Sequence, residues 1–184
     1  MNGDLHFHFV CTKDEAREII ATYERFWVSN CGCRENGSGC SRSRMDVCLF
    51  FDPEMGGTGS GLKEVGKDFV EGILREAEET HLVARPFRYE TDRARIQGIC
   101  FCCDDCCYYF TEAAEPCDKG TFIEETDIES CTGCGACVEV CYFGARKIEE
   151  GLLKILREAC YGCGLCAEVC SAGCIQMVKR QHSL

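Results

Sequence analysis

The chain has 184 residues, enough for one compact domain or two small ones, and a net charge of −11. An acidic surface excludes a role in holding nucleic acid or anionic lipid, both of which need basic patches. Twenty cysteines would suggest a disulfide scaffold in a secreted chain. The start Met1-Asn-Gly-Asp-Leu-His, however, lacks the basic residues and apolar core of a secretory leader, and no apolar run approaches membrane-spanning length. The expectation is a cytoplasmic protein without a membrane span, whose reduced thiols serve as metal ligands.

In chain order, Leu5 to Val10 alternates and predicts a strand with Leu5, Phe7 and Phe9 inward and His6 and His8 toward solvent. Thr12 and Glu15 form a capping box. Ala16, Ile19, Ile20, Tyr23 and Phe26 or Trp27 then recur at helical spacing, so a helix is expected over residues 13–28. A loop bearing Cys31, Cys33 and Cys40 precedes the apolar stretch Val47 to Phe51, which carries Cys48. Leu62, Val65, Phe69, Val70, Ile73, Leu74 and Ala77 predict a second helix over 61–80, capped by Ser60. Between them, the run Gly56 to Lys63 has the glycines of a phosphate loop. Leu62 separates Lys63 from Gly61 and no Ser or Thr follows, so that pattern fails and a plain loop before a helix is expected. Arg85, Arg88, Arg93 and Arg95 read as solvated loop charge or as balance for nearby metal centres, and a second dense group follows with Cys100, Cys102, Cys103, Cys106 and Cys107. Residues 108–122 read as a connector, and Cys11 and Cys117 as ordinary thiols.

Two copies of one pattern then stand 29 residues apart: Cys131-Thr-Gly-Cys134-Gly-Ala-Cys137-x3-Cys141 and Cys160-Tyr-Gly-Cys163-Gly-Leu-Cys166-x3-Cys170. A C-x2-C-x2-C loop can wrap three thiolates around a 4Fe-4S cube. Gly133, Gly135, Gly162 and Gly164 can take positive φ and bring backbone N–H groups toward the sulfides. The fourth cysteine points away from its own loop, so in a two-cluster arrangement the ligand sets cross: Cys131, Cys134, Cys137 and Cys170 for one cube, Cys160, Cys163, Cys166 and Cys141 for the other. Structural zinc would use C-x2-C pairs with a longer spacer and a single four-ligand site.

On these motifs, residues 122–179 resemble a bacterial-type ferredoxin with two 4Fe-4S clusters. The resemblance implies a pseudo-twofold (βαβ)2 dicluster domain, low-potential one-electron transfer and an oxygen-poor, anaerobic setting. The proline that usually follows each fourth cysteine is Tyr142 in the first copy and Ser171 in the second. Cys174, where the family has alanine, reads as a small buried residue. Ile123, Ile128, Val138, Val140, Ile148, Leu153, Ile155 and Val169 are the expected core around the cubes.

The nine cysteines in the two N-terminal groups exceed what packing would use and predict an additional metal site. If the two helices pack as a hairpin beneath them, Cys31, Cys33, Cys40 and Cys48 meet Cys100, Cys102, Cys103, Cys106 and Cys107. The order of these cysteines is similar to a cysteine-rich region that precedes ferredoxin modules in anaerobic iron–sulfur redox proteins. The adjacent pairs resemble, more loosely, the CCG-type domains of heterodisulfide-reductase-like proteins, with Asp104 and Tyr108 in place of the glycine. One further cube would use four of the nine, two cubes eight, and a non-cubane assembly could use more.

The fold expected is α+β: a cysteine-rich N-terminal α/β or helical-hairpin domain over 1–117 with an extra iron–sulfur site, and the dicluster domain over 118–184. The net charge divides as −8 and −3 between these regions, which favours redox partner proteins with basic docking faces. Two functions fit. One is an electron-transfer protein or redox-enzyme subunit, a relay with no substrate site. The other is an iron–sulfur reductase whose N-terminal cluster reduces a small molecule or disulfide with electrons from the ferredoxin module. No nucleophile–base, paired-carboxylate or flavin motif marks a catalytic residue.

Overall fold

A computed structural model describes residues 5–55, 57–112 and 116–181; the expectations placed on Gly56 and on the first four residues lie outside these. The N-terminal region supplies β1 (His8–Phe9), α1 (Lys13–Ala21), β2 (Phe26–Ser29), α2 (Gly32–Asn36), β3 (Cys48–Phe50), β4 (Lys63–Val65), α3 (Lys67–Glu79), β5 (Val83–Arg88), β6 (Ile96–Cys102), α4 (Tyr108–Thr111) and β7 (Cys117–Asp118). Its strands form one sheet in the order β4-β2-β3-β6-β5-β1-β7. Every pairing is antiparallel except that of β1 with β7.

The capping box is present: Thr12 Oγ1 accepts from the Glu15 N–H at 3.2 Å, and Glu15 Oε2 from the Thr12 N–H at 2.9 Å. It stabilises the start of α1 by about 1 kcal/mol. The helix stops at Ala21, short of the expected 28, because Phe26, Trp27, Val28 and Ser29 are buried between β3 and β4 as a central strand. Aromatic and β-branched residues suit that position, and sheet pairing overrides their helical spacing. The second helix is likewise shorter than expected. Lys63 to Val65 pair with β2, and α3 starts after Gly66, not at a Ser60 cap. Its Val70, Ile73, Leu74 and Ala77 are all at or below 1 % exposure, each of the larger three contributing roughly 1.5–3 kcal/mol.

α1 and α3 lie on one face of the sheet, against Val28, Leu49, Ala84, Ile99 and Phe101, and are joined by an ion pair between Arg17 and Glu78. The other face carries Trp27, Cys48, Phe50, Phe87 and Cys100. Strand β1 is covered on both sides, so its alternation does not divide core from solvent. His8 and Val10 are buried while Leu5 is 45 % exposed, which reverses the expected outward placement of His8.

The C-terminal region comprises β8 (Phe122–Thr126), α5 (Ala136–Glu139), β9 (Arg146–Glu149), β10 (Leu152–Ile155), α6 (Leu165–Glu168) and β11 (Ile175–Lys179). Two β-α-β units trade strands, β8 pairing with β11 and β9 with β10. The chain is thus α+β throughout. Of the expected core, Val140 is buried, whereas Ile128 and Ile148 are 57 % and 43 % exposed. Ile128 lies in the turn after β8, and Ile148 on a two-stranded hairpin with no sheet behind it. Val10 and Val83 pack with Val140 and Leu165 where the two regions meet. Tyr142, in the first position lacking the usual proline, donates its OH to the His81 carbonyl at 3.0 Å and lies beneath the Arg42 guanidinium.

Candidate metal centres

The two motif copies build two separate nests. Cys131, Cys134, Cys137 and Cys170 line one cavity, together with Cys174, whose Sγ is 3.4 Å from that of Cys170. Cys141, Cys160, Cys163 and Cys166 line the other. Gly133, Gly135, Gly162 and Gly164 all have φ between +69° and +85°, and the second and fourth cap the short helices α5 and α6. Gly162 is doubly constrained, since a Cβ there would stand 2.1 Å from the Phe122 carbonyl oxygen. Arg146 stands between the nests, 1 % exposed at its side chain. It donates to Cys137 Sγ at 3.4 Å and pairs with the buried Glu124 at 2.5 Å, and it lines the second nest. Burial pushes the Cys163 and Cys166 thiols up to about 12, so each gives up its proton when a metal replaces it.

In the N-terminal region the sheet, not a helical hairpin, gathers the cysteines, and it sorts them. Side chains alternate along a strand. On β6, Cys100 and Cys102 therefore face away from the helices, whereas Ile99, Phe101 and the following Cys103 join the helix-side core. Six thiols form a closed ring on the open face, each beside two others in the order Cys31, Cys48, Cys100, Cys102, Cys107, Cys33 and back to Cys31. They surround a cavity of about 250 Å³, which Cys106 also lines. Cys40, Cys103 and Cys106 form a second group with Asp105, all four ligand atoms lying within 4.8 Å of one another.

Two arginines stand at the ring, and of these Arg34 carried no signal in the sequence. Arg85, for which the sequence left solvated loop charge and balance for nearby metal centres both open, is 3 % exposed and donates to Cys102 Sγ at 3.8 Å and Cys107 Sγ at 3.7 Å. Burial opposes its charge, and the surrounding thiols more than restore it. Arg34, 1 % exposed, reaches the Phe101 carbonyl at 3.1 Å and the Arg44 carbonyl. Arg34 Nε and Arg85 Nε and Nη2 are buried without a hydrogen-bond partner. Both side chains line the ring cavity, where a cluster of thiolates and sulfides would satisfy such donors. The residues present therefore fit an anionic polynuclear cluster. His8 also lines the cavity, and burial, reinforced by Arg85, Arg88 and Arg93, holds its imidazole down at about 3, hence neutral. The glycine-rich loop is no phosphate site: its Thr58 lines the ring, and Lys63 pairs with Asp46 at 3.0 Å.

A series of aromatic contacts runs from the ring to one of the nests. Arg85 lies 4.0 Å over Tyr109, Tyr109 meets Phe143 at 6.2 Å, and Phe143 stacks on Tyr161 at 4.4 Å. Phe143 and Tyr161 line the nest of Cys141, Cys160, Cys163 and Cys166.

The 4Fe-4S binding domain family matches residues 124–147, from β8 through the first cysteine copy into β9. The second copy and the whole N-terminal region fall outside that match. No curated protein and no solved structure matches the chain. The cysteine sets and this domain define an iron–sulfur protein with at least one 4Fe-4S cluster, and they support a role in electron transfer. Among the described residues no helix is long and apolar enough to cross a membrane.

Proposed function

We propose that the protein is a low-potential one-electron relay with three iron–sulfur centres: a cube in each C-terminal nest, with crossed ligand sets, and a polynuclear cluster in the six-thiol ring. It would work in an oxygen-poor cytoplasm and dock its acidic surface on basic faces of redox partners. The observation that carries the reading is the aromatic bridge, which runs from the ring to one nest through successive contacts of 4.0, 6.2 and 4.4 Å. When bound, the clusters supply outer-sphere electron transfer. The chain holds them in fixed order, keeps water from the sulfurs by burying Cys137, Cys160, Cys102 and Cys107, and balances their charge with Arg146 and Arg85. We assign the boundary between the two functional halves near residue 118, where β7 leads into the ferredoxin-like units.

The reductase reading keeps one observation in its favour: the ring holds six thiols where a cube needs four, beside a cavity of about 250 Å³. Iron and labile-sulfide content with EPR of the anaerobic full-length chain tests the relay. The wild type should exceed the eight or so irons of two cubes, and Cys102→Ser should lose only the excess. A wild-type content of about eight irons, unchanged in Cys102→Ser, would remove the N-terminal cluster from the scheme. A third cluster that changes its EPR signal on adding small thiols or disulfides would favour the reductase.

A further inference from the structure

Each adjacent cysteine pair divides: Cys102 and Cys107 belong to the ring, while Cys103 and Cys106 gather with Cys40 and Asp105, Cys106 standing at the wall between this group and the ring cavity. We propose that Cys40, Cys103, Cys106 and Asp105 bind a single divalent ion of the zinc class, at a site separate from every iron–sulfur cluster. It does not depend on the relay reading.

Compactness carries the argument. Cys40 Sγ and Cys106 Sγ are each 3.6 Å from Cys103 Sγ, and a tetrahedral ion with metal–sulfur bonds of about 2.3 Å sets its sulfurs about 3.8 Å apart. The two ferredoxin nests offer an internal comparison. Their thiolates must stand off around a core of irons and sulfides, and among the described residues neither set gathers as tightly as this group does. The six-thiol ring does not either.

The local chemistry agrees. Cys103-Asp-Asp-Cys106 has C-x2-C spacing. The backbone N–H groups of Asp105 and Cys106 point at the Cys103 sulfur, which stabilises a bound thiolate. Asp105 Oδ2 accepts the Ser41 N–H at 2.8 Å, which fixes the carboxylate and ties the loop bearing Cys40 to the turn after β6. Three thiolates and a carboxylate carry four negative charges. A divalent ion and the buried Arg34, whose guanidinium faces Cys106, offset three of them. A mixed sulfur and oxygen donor set of this kind suits zinc.

The test uses the full-length chain, purified anaerobically after growth with zinc. One zinc per chain is expected, and zinc-edge X-ray absorption should read three sulfurs at about 2.3 Å and one oxygen at about 2.0 Å. Cys40→Ser should lose the zinc with iron and labile sulfide unchanged, since a lone ion holds no sulfide. Iron and sulfide falling together in that variant would place these thiols in a cluster and overturn the proposal. So would a wild type without zinc, or a zinc shell of four sulfurs. Asp105→Ala changes an exposed side chain and keeps the experiment decisive where Cys40→Ser does not fold: the short oxygen should be replaced and zinc lost to a chelator sooner, and an unchanged zinc shell would overturn the assignment.

Discussion

Tyr142 stands where the ferredoxin resemblance has proline, and its geometry makes it a fastener between the two regions. Tyr142→Pro removes the hydrogen bond to the His81 carbonyl, worth roughly 1 kcal/mol. It also removes the contact with Arg42 at 5.3 Å, roughly 0.5–1 kcal/mol, and the edge contact with Phe110 at 5.8 Å, roughly 0.5–1.5 kcal/mol. The sum, about 2–3.5 kcal/mol, corresponds to a roughly 30- to 300-fold larger population in which the halves have parted. Tyr142→Phe keeps the ring and loses only the hydrogen bond, about fivefold. Lys119 has an exposed side chain, but its neighbours Asp118 and Gly120 are tied by backbone hydrogen bonds to Val10 and Tyr161, so tryptic cleavage there demands such an opening. Cleavage there, followed anaerobically by mass spectrometry, should accelerate in the order wild type, Tyr142→Phe, Tyr142→Pro. Arg42→Ala should add little in the proline background. Cleavage of Tyr142→Pro at the wild-type rate, or equal effects of Phe and Pro, would refute the fastening role.

Arg146→Met leaves the buried Glu124 carboxylate with only the Thr126 hydroxyl and the Arg157 guanidinium at 3.6 Å, and should cost about 3 kcal/mol of stability in anaerobic urea unfolding; a loss under about 1 kcal/mol would show the pair to be dispensable. Arg85→Gln withdraws a buried positive charge from the thiol ring. A charge-assisted hydrogen bond of roughly 1.5 kcal/mol translates to a potential lower by about 60 mV for one electron, measurable by EPR-monitored titration of the N-terminal signal, while the cube signals should move little. Cys174→Ala should leave iron content unchanged although its sulfur is 3.4 Å from Cys170, whereas Cys170→Ala should lose a cube; equal iron loss in both would make Cys174 a ligand. Gly162→Ala combines a positive φ with a 2.1 Å approach to the Phe122 oxygen and should displace Cys163, so the second nest should lose iron before the first.

The C-terminal nests were legible because most of their cysteines are local: a loop of three encodes its own geometry, and only which cavity the fourth lines depends on topology. The N-terminal sites were not, because their membership is decided by strand alternation. Nothing in the spacing separates Cys102 from Cys103, yet they end on opposite faces of β6. Phe26, Trp27 and Val65 happen to continue helical spacing, and their pairing partners, which are distant in sequence, decide otherwise. For Arg85 the sequence left solvated charge and balance for a metal centre both open, and it did not single out Arg34; the thiols around them explain why both guanidinium groups are buried.

The chain has a single tryptophan, and Trp27 packs in the same patch as Cys31, Cys48 and Cys100. Its indole is therefore a built-in gauge of that face: energy transfer to a strongly absorbing iron–sulfur chromophore would darken its emission as the ring fills. Filling of the proposed N-terminal cluster would thus be followed in real time without labelling the protein.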